Sequence, residues 1–85
     1  MKKKEAQLLS LDLHGFKTDE VFDALDKFIR RAETGGHHRV RIIHGKGTGK
    51  VKEKVMEYLR MAGHSGKPEP LANGNVNEGV LLVIL

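Results

Sequence analysis

An apolar strand, a short loop and an amphipathic helix follow one another twice in this chain, and this repeated order constrains the fold more than any other feature. In the first unit, residues 8–13 alternate as a strand does, and Gly15 ends the strand. Thr18 is the expected N-cap of the helix, which stops at Gly35-Gly36. Between those points apolar residues recur at helical spacing: Val21, Phe22, Leu25, Phe28, Ile29 and Ala32.

The second unit has the same order. Residues 40–43 are a predicted strand, residues 44–49 a loop, and residues 50–62 a helix that ends at Gly63. The residues predicted to face inward from this helix are Val51, Val55, Leu59 and Ala62. Strand–helix–strand units with short loops favour a right-handed crossover and parallel strands. Because ligand sites gather where such strands end, we expect the two loops to lie side by side at one edge of the sheet.

The last part of the chain is less regular. Residues 80–85 are apolar throughout and predict a strand that is covered on both faces. Residues 64–79 read mostly as loop, and 67–71 form at best a poor strand because Pro68 and Pro70 cannot donate to a ladder. The predicted fold class is therefore α/β, a two-layer sandwich in the order β-α-β-α-(β)-β with a mixed sheet, and the status of 67–71 stays open.

The length of 85 residues suits one domain with one core. We assign residues 1–7 to a basic N-terminal extension and residues 8–85 to the domain. The absence of cysteine excludes a disulfide framework and thiolate chemistry. No apolar run approaches the length of a membrane span and no signal-peptide pattern is present, so we expect a cytoplasmic protein without a membrane partner.

Positive charge is concentrated in the middle of the chain. Residues 35–67 contain eight basic and two acidic residues, within a chain of net charge +4. A concentrated basic patch attracts polyanions, of which nucleic acid is the commonest. The alternative is a solvated basic face with no partner, and charge alone does not decide between the two.

The loop at 44–49 has the composition of a phosphate-binding loop. Glycines let a ligand approach the main chain, free amides at a helix start attract anions, and lysines add charge. The residues assigned to phosphate binding are Gly45, Lys46, Gly47, Thr48, Gly49 and Lys50. The spacing matches neither the Walker signature nor the dinucleotide fingerprint, so a backbone phosphate of DNA or RNA fits better than a mononucleotide cofactor. The alternative is a plain flexible connection.

Asp12 and His14 are two apart on the first strand, so their side chains leave by the same face. An aspartate that orients a histidine recurs in acid–base catalysis, and the same pair is a partial ligand set for a divalent cation such as Mg²⁺ or Mn²⁺. The sequence leaves open whether a metal is needed. In the alternative interpretation, Asp12 only caps local backbone amides near Gly15.

His44 ends the second strand as His14 ends the first, so parallel strands are expected to bring the two imidazoles close together. One imidazole could take a proton from water or a ribose 2′-hydroxyl while the other protonates the leaving oxygen, with Lys46 stabilising the charge that develops. The predicted catalytic residues are Asp12, His14 and His44. No activated Ser or Cys nucleophile is evident, which disfavours a covalent mechanism.

These residues resemble the two signatures of the Smr (small MutS-related) domain family. Leu11-Asp12-Leu13-His14 is similar to its Leu-Asp-x-His motif, and residues 44–49 are similar to its His-Gly-x-Gly-Thr-Gly motif. The resemblance covers residues 8–85 and implies a two-layer α/β sandwich similar to the C-terminal domain of a bacterial translation initiation factor. It also implies DNA-nicking or RNA-cleaving activity with variable metal dependence, catalytic roles for Asp12 and His14, and substrate binding by residues 44–49.

Two functions follow from the sequence. The first is an endonuclease that cleaves phosphodiester bonds in DNA or RNA. The second is a non-catalytic module that binds DNA, RNA or the ribosome as part of a larger MutS-like protein, since the resemblance includes tail domains that act in recombination control or on stalled ribosomes. The carboxylate of Asp12 favours the endonuclease, because a negative charge repels phosphate and would not help a protein that only binds phosphate.

Overall fold

The computed structural model describes residues 8–85, so the predicted extension at 1–7 lies outside the described residues. Six elements follow one another in the predicted order. Their bounds are β1 Leu9–Asp12, α1 Thr18–Thr34, β2 Arg39–Ile43, α2 Lys50–Ala62, β3 Ser65–Pro70 and β4 Val76–Ile84.

The four strands form one mixed sheet in the order β1-β2-β4-β3. β1 and β2 are parallel, with Asp12 opposite Ile43, and β4 is antiparallel to both of its neighbours. The predicted parallel pairing is confirmed. Because β1 and β2 end together, the chain segments that follow them, 13–17 and 44–49, meet at the same edge of the sheet.

The N-cap of α1 lies one residue earlier than predicted. Lys17, not Thr18, is the N-cap, and the Glu20 carboxylate accepts a 2.9 Å hydrogen bond from the Lys17 backbone N–H. This carboxylate satisfies a donor at the positive end of the helix, which is the role the sequence assigned to a threonine hydroxyl. The buried residues of α1 are Val21, Leu25, Phe28, Ile29 and Ala32.

α2 buries a narrower face than predicted. Val55 and Leu59 are buried and Val51 is half-buried. Ala62, which was expected to face inward, is exposed, because the helix ends there and the chain turns at Gly63 towards β3. The two helices contact each other through the rings of Phe22 on α1 and Tyr58 on α2, which pack edge to face with their centroids 5.5 Å apart.

The core lies between the helices and one face of the sheet. Alternate residues of β2 and β4 supply the sheet side of this core, and they are Val40, Ile42, Leu81 and Val83. The other face carries no helix, which gives the predicted two-layer sandwich. No helix of the described residues has the length and apolar content needed to cross a membrane.

The segment left open by the sequence is a strand. β3 pairs with β4 over its full length although it contains Pro68 and Pro70. A proline has no N–H to donate to a neighbouring strand. Because these two prolines are two positions apart, both of their nitrogens point to the same side of β3, which is the outer side of an edge strand, and no hydrogen bond to β4 is lost. β4 starts at Val76, four residues before the predicted start at Val80. Residues 80–83 are all buried although no helix covers the second face of the sheet, whereas Ile84, also predicted to be covered, is exposed.

A bulge interrupts β4 beside the segment that follows β2. Pro68 is opposite Leu81 while Glu69 is opposite Asn77, so residues 78–80 have no partner in β3. The Asn77 side-chain oxygen accepts a 3.1 Å hydrogen bond from the Gly79 backbone N–H and holds the bulge in shape. Bulges re-aim side chains and are common next to binding sites.

An ion pair spans the uncovered face of the sheet. The Arg41 guanidinium on β2 donates to both carboxylate oxygens of Glu69 on β3, at 2.7 and 3.0 Å, and to the Ser10 hydroxyl on β1 at 3.2 Å. The hydrogen bonds from Arg41 lower the pKa of Glu69. These contacts join three of the four strands on the side that has no helix.

Candidate active site

A tight turn presents His14 to solvent at the end of β1. The Leu13 carbonyl accepts a 2.9 Å hydrogen bond from the Phe16 N–H, and Gly15 adopts a φ of 84° at the third position of the turn. A left-handed third residue is the mark of a type II turn and favours glycine. Leu13 is buried in the core and His14 is exposed, so the turn is anchored on one side and displays an imidazole on the other.

Asp12 fixes this turn through the main chain. Its carboxylate accepts a 2.9 Å hydrogen bond from the backbone N–H of His14, not from the imidazole. The local capping role is therefore present, and the His14 ring remains free to meet a ligand. The predicted pair is brought together, with the carboxylate positioning the residue that carries the imidazole.

His44 occupies a different environment. It is only 6% exposed, and its Nδ1 atom lies 2.7 Å from the Gly45 carbonyl oxygen. Because a carbonyl only accepts, Nδ1 carries the proton and Nε2 is an unprotonated acceptor. Nε2 is enclosed by protein and has no hydrogen-bond partner. Burial lowers the pKa of His44 below the usual 6.5. The Lys52 charge adds to this shift and the Gly45 hydrogen bond opposes it. The ring is thus neutral at pH 7.

The strand register separates the two histidines. Asp12 is opposite Ile43, and the Leu13 N–H donates to the Ile43 carbonyl at 2.7 Å, so Leu13 lies beside His44 on the helix-covered face. His14 lies one residue further, in the exposed turn. Leu13 takes the position opposite His44, so the register alone does not pair the two imidazoles as the sequence suggested. The two histidines share an edge of the sheet but not an environment.

The glycine loop, residues 44–49, connects β2 to α2. Gly45 and Gly49 have φ values of 79° and 89°, which other residues adopt only with strain, whereas Gly47 does not lie in that region. Nothing lies within 4 Å of where a Cβ of Gly47 would be, so the loop is open to a ligand there. Gly49 is the N-cap of α2, which leaves the N–H groups of the first helical turn free to bind an anion. Thr48 contributes only a long contact, in which its hydroxyl oxygen lies 3.4 Å from the Lys50 N–H.

An open cleft of about 260 Å³ lies against the glycine loop. Its other walls come from α2, β3 and the bulge of β4, through Lys52, Pro68, Glu78, Val80 and Leu81. Lys52 and Glu78 did not stand out in the sequence. Lys52 was one of eight basic residues in the stretch 35–67, and Glu78 lay in a stretch predicted to be loop, so only the fold shows that both face the same cleft.

The described residues contain no group of three or more His, Asp or Glu side chains arranged to hold a metal ion. Asp12 and His14 supply at most two ligands, and one Asp12 oxygen already accepts the His14 N–H. Mg²⁺ is commonly held by one or two carboxylates together with substrate phosphates and water. A divalent cation at this turn therefore fits only if the substrate supplies the remaining oxygen ligands.

Sequence comparison places these features in a known family. The family model of the Smr domain matches residues 11–85. The chain is 42% identical over 69 residues to an endonuclease MutS2 of Symbiobacterium thermophilum, which covers 81% of the chain and 8% of that protein. It is 34% identical over 83 residues to an endonuclease MutS2 of Exiguobacterium sibiricum, covering 98% of the chain and 10% of that protein. The chain thus spans about a tenth of the length of these relatives or less.

Solved structures show the same fold. The Smr domain of Thermus thermophilus MutS2 superposes with a TM-score of 0.77 at 28% identity, over 92% of this chain and 98% of that one. A stand-alone small MutS-related protein from Escherichia coli superposes with a TM-score of 0.69 at 24% identity, over 98% of this chain and 66% of that one. With a family match over residues 11–85 and this agreement in fold, the chain belongs to the Smr domain family.

Proposed function

We propose that this domain binds DNA or RNA through the glycine loop and cleaves a phosphodiester bond at the turn that carries His14. The observation that carries the proposal is the parallel pairing of β1 and β2, which puts an exposed imidazole and a phosphate-binding loop at one edge of the sheet. The nucleic-acid backbone suits both parts, because its phosphates are anions that a loop of free amides can bind and its phosphodiester bonds can be cleaved by acid–base chemistry.

Binding rests on the loop and the helix that follows it. The backbone amides at Gly47 and at the start of α2 contact a phosphate, and the charges of Lys46 and Lys50 add attraction that does not depend on base sequence. Lys52, in the first turn of α2, extends the positive surface into the cleft. The domain therefore holds the backbone and leaves the bases free.

Cleavage rests on proton transfer. Water or a ribose 2′-hydroxyl attacks phosphorus, its proton passes to an imidazole nitrogen, and the departing oxygen of the broken ester bond takes up a proton. His14 is the group placed to exchange these protons, because its ring is exposed and uncommitted. Asp12 positions it through the turn. His44 takes part as a neutral ring whose Nε2, an acceptor without a partner in the protein, accepts a hydrogen bond from the substrate.

The test is incubation of the domain with supercoiled DNA and with structured RNA, with and without a chelator. His14→Ala is expected to abolish cleavage and keep binding. Asp12→Asn keeps an oxygen for the His14 N–H but removes the charge, so a large loss of cleavage would assign a role to the charge itself. His38→Ala is the matched control and should be active, because His38 is an exposed histidine that lies one residue before β2. Unchanged cleavage by His14→Ala overturns the catalytic assignment.

A non-catalytic binding module is the second candidate. Two observations favour it: the chain spans 8–10% of its MutS2 relatives, and the Asp12 carboxylate contacts the main chain of His14 instead of its ring. In this case the domain delivers a larger MutS-like protein to DNA, RNA or the ribosome in the cytoplasm, in repair or recombination. Binding that survives in every variant, without cleavage of any substrate, would decide for it.

A further inference from the structure

We propose that Glu78 is a specificity-determining residue, which accepts a hydrogen bond from the ribose 2′-hydroxyl of the nucleotide held by the glycine loop and so makes the domain prefer RNA to DNA. The inference rests on the proposed function, since it assumes that the loop binds a backbone phosphate. It concerns a residue outside both sequence motifs, placed at the cleft only by the bulge in β4.

The bulge fixes Glu78 against the loop. The carbonyl oxygen of Gly79 accepts hydrogen bonds from the N–H groups of His44, at 2.9 Å, and Gly45, at 3.1 Å. A Cβ on Gly79 would lie 3.5 Å from the Gly45 backbone, so the two segments are in contact. Asn77 holds the Gly79 N–H from the other side. The backbone of Glu78, between these fixed residues, is therefore held beside the glycine loop, and its exposed side chain forms part of the wall of the cleft.

A carboxylate in this position is informative because it conflicts with simple phosphate binding. It repels a phosphate, and as an ionised group it can only accept hydrogen bonds. Among residues 8–85, Glu78 makes no ion pair with a basic side chain, so it is not there to neutralise Lys46 or Lys52. What it can bind next to a phosphate is a neutral donor.

The sugar–phosphate backbone of an internal nucleotide has one such donor. Deoxyribose and phosphate oxygens only accept, whereas the 2′-hydroxyl of ribose donates. Carboxylates that bind a ribose 2′-hydroxyl beside a phosphate-binding glycine loop are known from unrelated dinucleotide folds. A carboxylate in the wall next to the loop therefore selects ribose, and it disfavours DNA, to which it offers only repulsion.

His44 supplies a second, independent sign of a donor-bearing ligand. Its ring lines the same cleft, its Nδ1 is committed to Gly45, and its Nε2 is an acceptor without a partner in a residue that is 6% exposed. Buried acceptors without partners are rare in proteins and often mark functional positions. Two acceptors, Glu78 and His44, thus line the cleft where the ligand is expected to bring a hydroxyl.

The experiment measures binding of one hairpin sequence in three chemistries: RNA, DNA and 2′-O-methyl RNA, each with the same fluorescent label. The wild-type domain is expected to bind RNA about tenfold more tightly than the other two, a ratio in keeping with one hydrogen bond to a charged group. Glu78→Ala should remove this preference, mainly by tightening the binding of DNA and 2′-O-methyl RNA. Glu78→Gln keeps an acceptor oxygen and should retain part of the preference.

Glu57→Gln is the matched control. It removes the same charge from a half-exposed site on α2 outside the cleft, and it should leave the ratio of RNA to DNA affinity unchanged. Equal binding of RNA and 2′-O-methyl RNA by the wild type, or an unchanged ratio in Glu78→Ala, overturns the inference. If neither RNA nor DNA binds, the proposed function fails and the inference fails with it.

Discussion

His44 and Gly79 are joined by a 2.9 Å hydrogen bond from the backbone N–H of the first to the carbonyl of the second. The bond ties the first residue of the glycine loop to β4, a central strand of the sheet. One end of the loop is thus held by the sheet and the other by α2, while Lys46, Gly47 and Thr48 between them are exposed. The loop is anchored at its ends and open in its middle.

The three glycines of this loop are predicted to differ in their effect on stability. Gly45→Ala and Gly49→Ala place a side chain in the left-handed region, which costs about 1–2 kcal/mol each. Gly47→Ala has an ordinary φ and free space, so it should leave the free energy of unfolding within about 0.5 kcal/mol of the wild type. Urea denaturation of the three variants checks this. Equal losses at all three positions would show that the loop conformation is not fixed as described.

Gly47→Ala is also expected to weaken nucleic-acid binding, because the methyl group occupies the space through which a phosphate reaches the backbone.

The salt dependence of nucleic-acid binding tests the lysines of the glycine loop and of the start of α2. Lys46→Gln and Lys50→Gln should each reduce the slope of log affinity against log salt by about 0.7–0.9, the value for one phosphate contact. Lys27→Gln, on the exposed side of α1, is the control and should leave the slope unchanged. A slope that is equally steep in all three variants would remove the loop lysines from the interface.

His44 is predicted to make stability depend on pH in one direction. Burial lowers its pKa in the folded state below the 6.5 of the unfolded chain, so the unfolded chain binds more protons under mildly acidic conditions. Stability is therefore constant above about pH 6.5 and falls as the pH drops below it, until the folded pKa is reached. His44→Asn keeps a donor for the Gly45 carbonyl and should flatten this part of the profile.

Thermal unfolding of wild type and His44→Asn between pH 5 and about 8 measures the difference, in the range where histidines titrate. The exposed His38→Asn serves as the control and should follow the wild type. A pH profile of His44→Asn that falls as steeply as that of the wild type would contradict the prediction, because the loss of stability would then come from another group.

The Arg41–Glu69 pair is predicted to be worth more than an ordinary surface ion pair. Its side chains are 31% and 20% exposed, and both carboxylate oxygens are engaged. Glu69→Gln should lower the free energy of unfolding by about 1.5–3 kcal/mol, the value for hydrogen bonds to a charged group. Because Arg41 lowers the pKa of Glu69 below its usual 4.5, this contribution is present above pH 4.5 and is lost as the pH falls through the folded pKa.

A double-mutant cycle with Arg41→Gln isolates the pair. The coupling energy should be about 0.5–3 kcal/mol near neutral pH and should shrink under acidic conditions. Glu53→Gln, an exposed carboxylate on α2, is expected to change stability by no more than about 0.5 kcal/mol. Additive effects of the two substitutions would mean that the pair only reflects proximity.

The regular part of the fold was predictable from the sequence because its periodicity is strong. The buried residues of α1 and the parallel pairing of β1 and β2 follow from spacing and from short connections. β3 was not predictable, since it depends on which side of the strand Pro68 and Pro70 turn their missing donors, and that is settled by pairing with β4. The early start of β4 was not predictable either. Val76 is followed by polar residues, and it belongs to the strand because it pairs with Pro70 of β3.

The two motifs of the site were predictable from the sequence, but the other residues that line the cleft were not. Asp12, His14 and the loop at 44–49 stand next to glycines and strand ends, which local patterns reveal. The tautomer of His44 depends on the Gly45 carbonyl, and its burial depends on the core around it. Glu78 reaches the cleft through a bulge that exists only because β3 and β4 differ in length between their paired ends. Such features arise from long-range pairing, which a single sequence does not display.

The two prolines of β3 have a consequence for self-association. They leave that edge of the sheet poor in donors, whereas β1, at the other edge, contains no proline. Sheets grow into long stacks only if each added copy offers two competent edges. A domain with one such edge can join a second copy through β1, after which both outer borders are the proline strands and growth stops. We therefore expect that replacing Pro68 and Pro70 would give the sheet two edges able to pair and would favour fibre formation in concentrated solution.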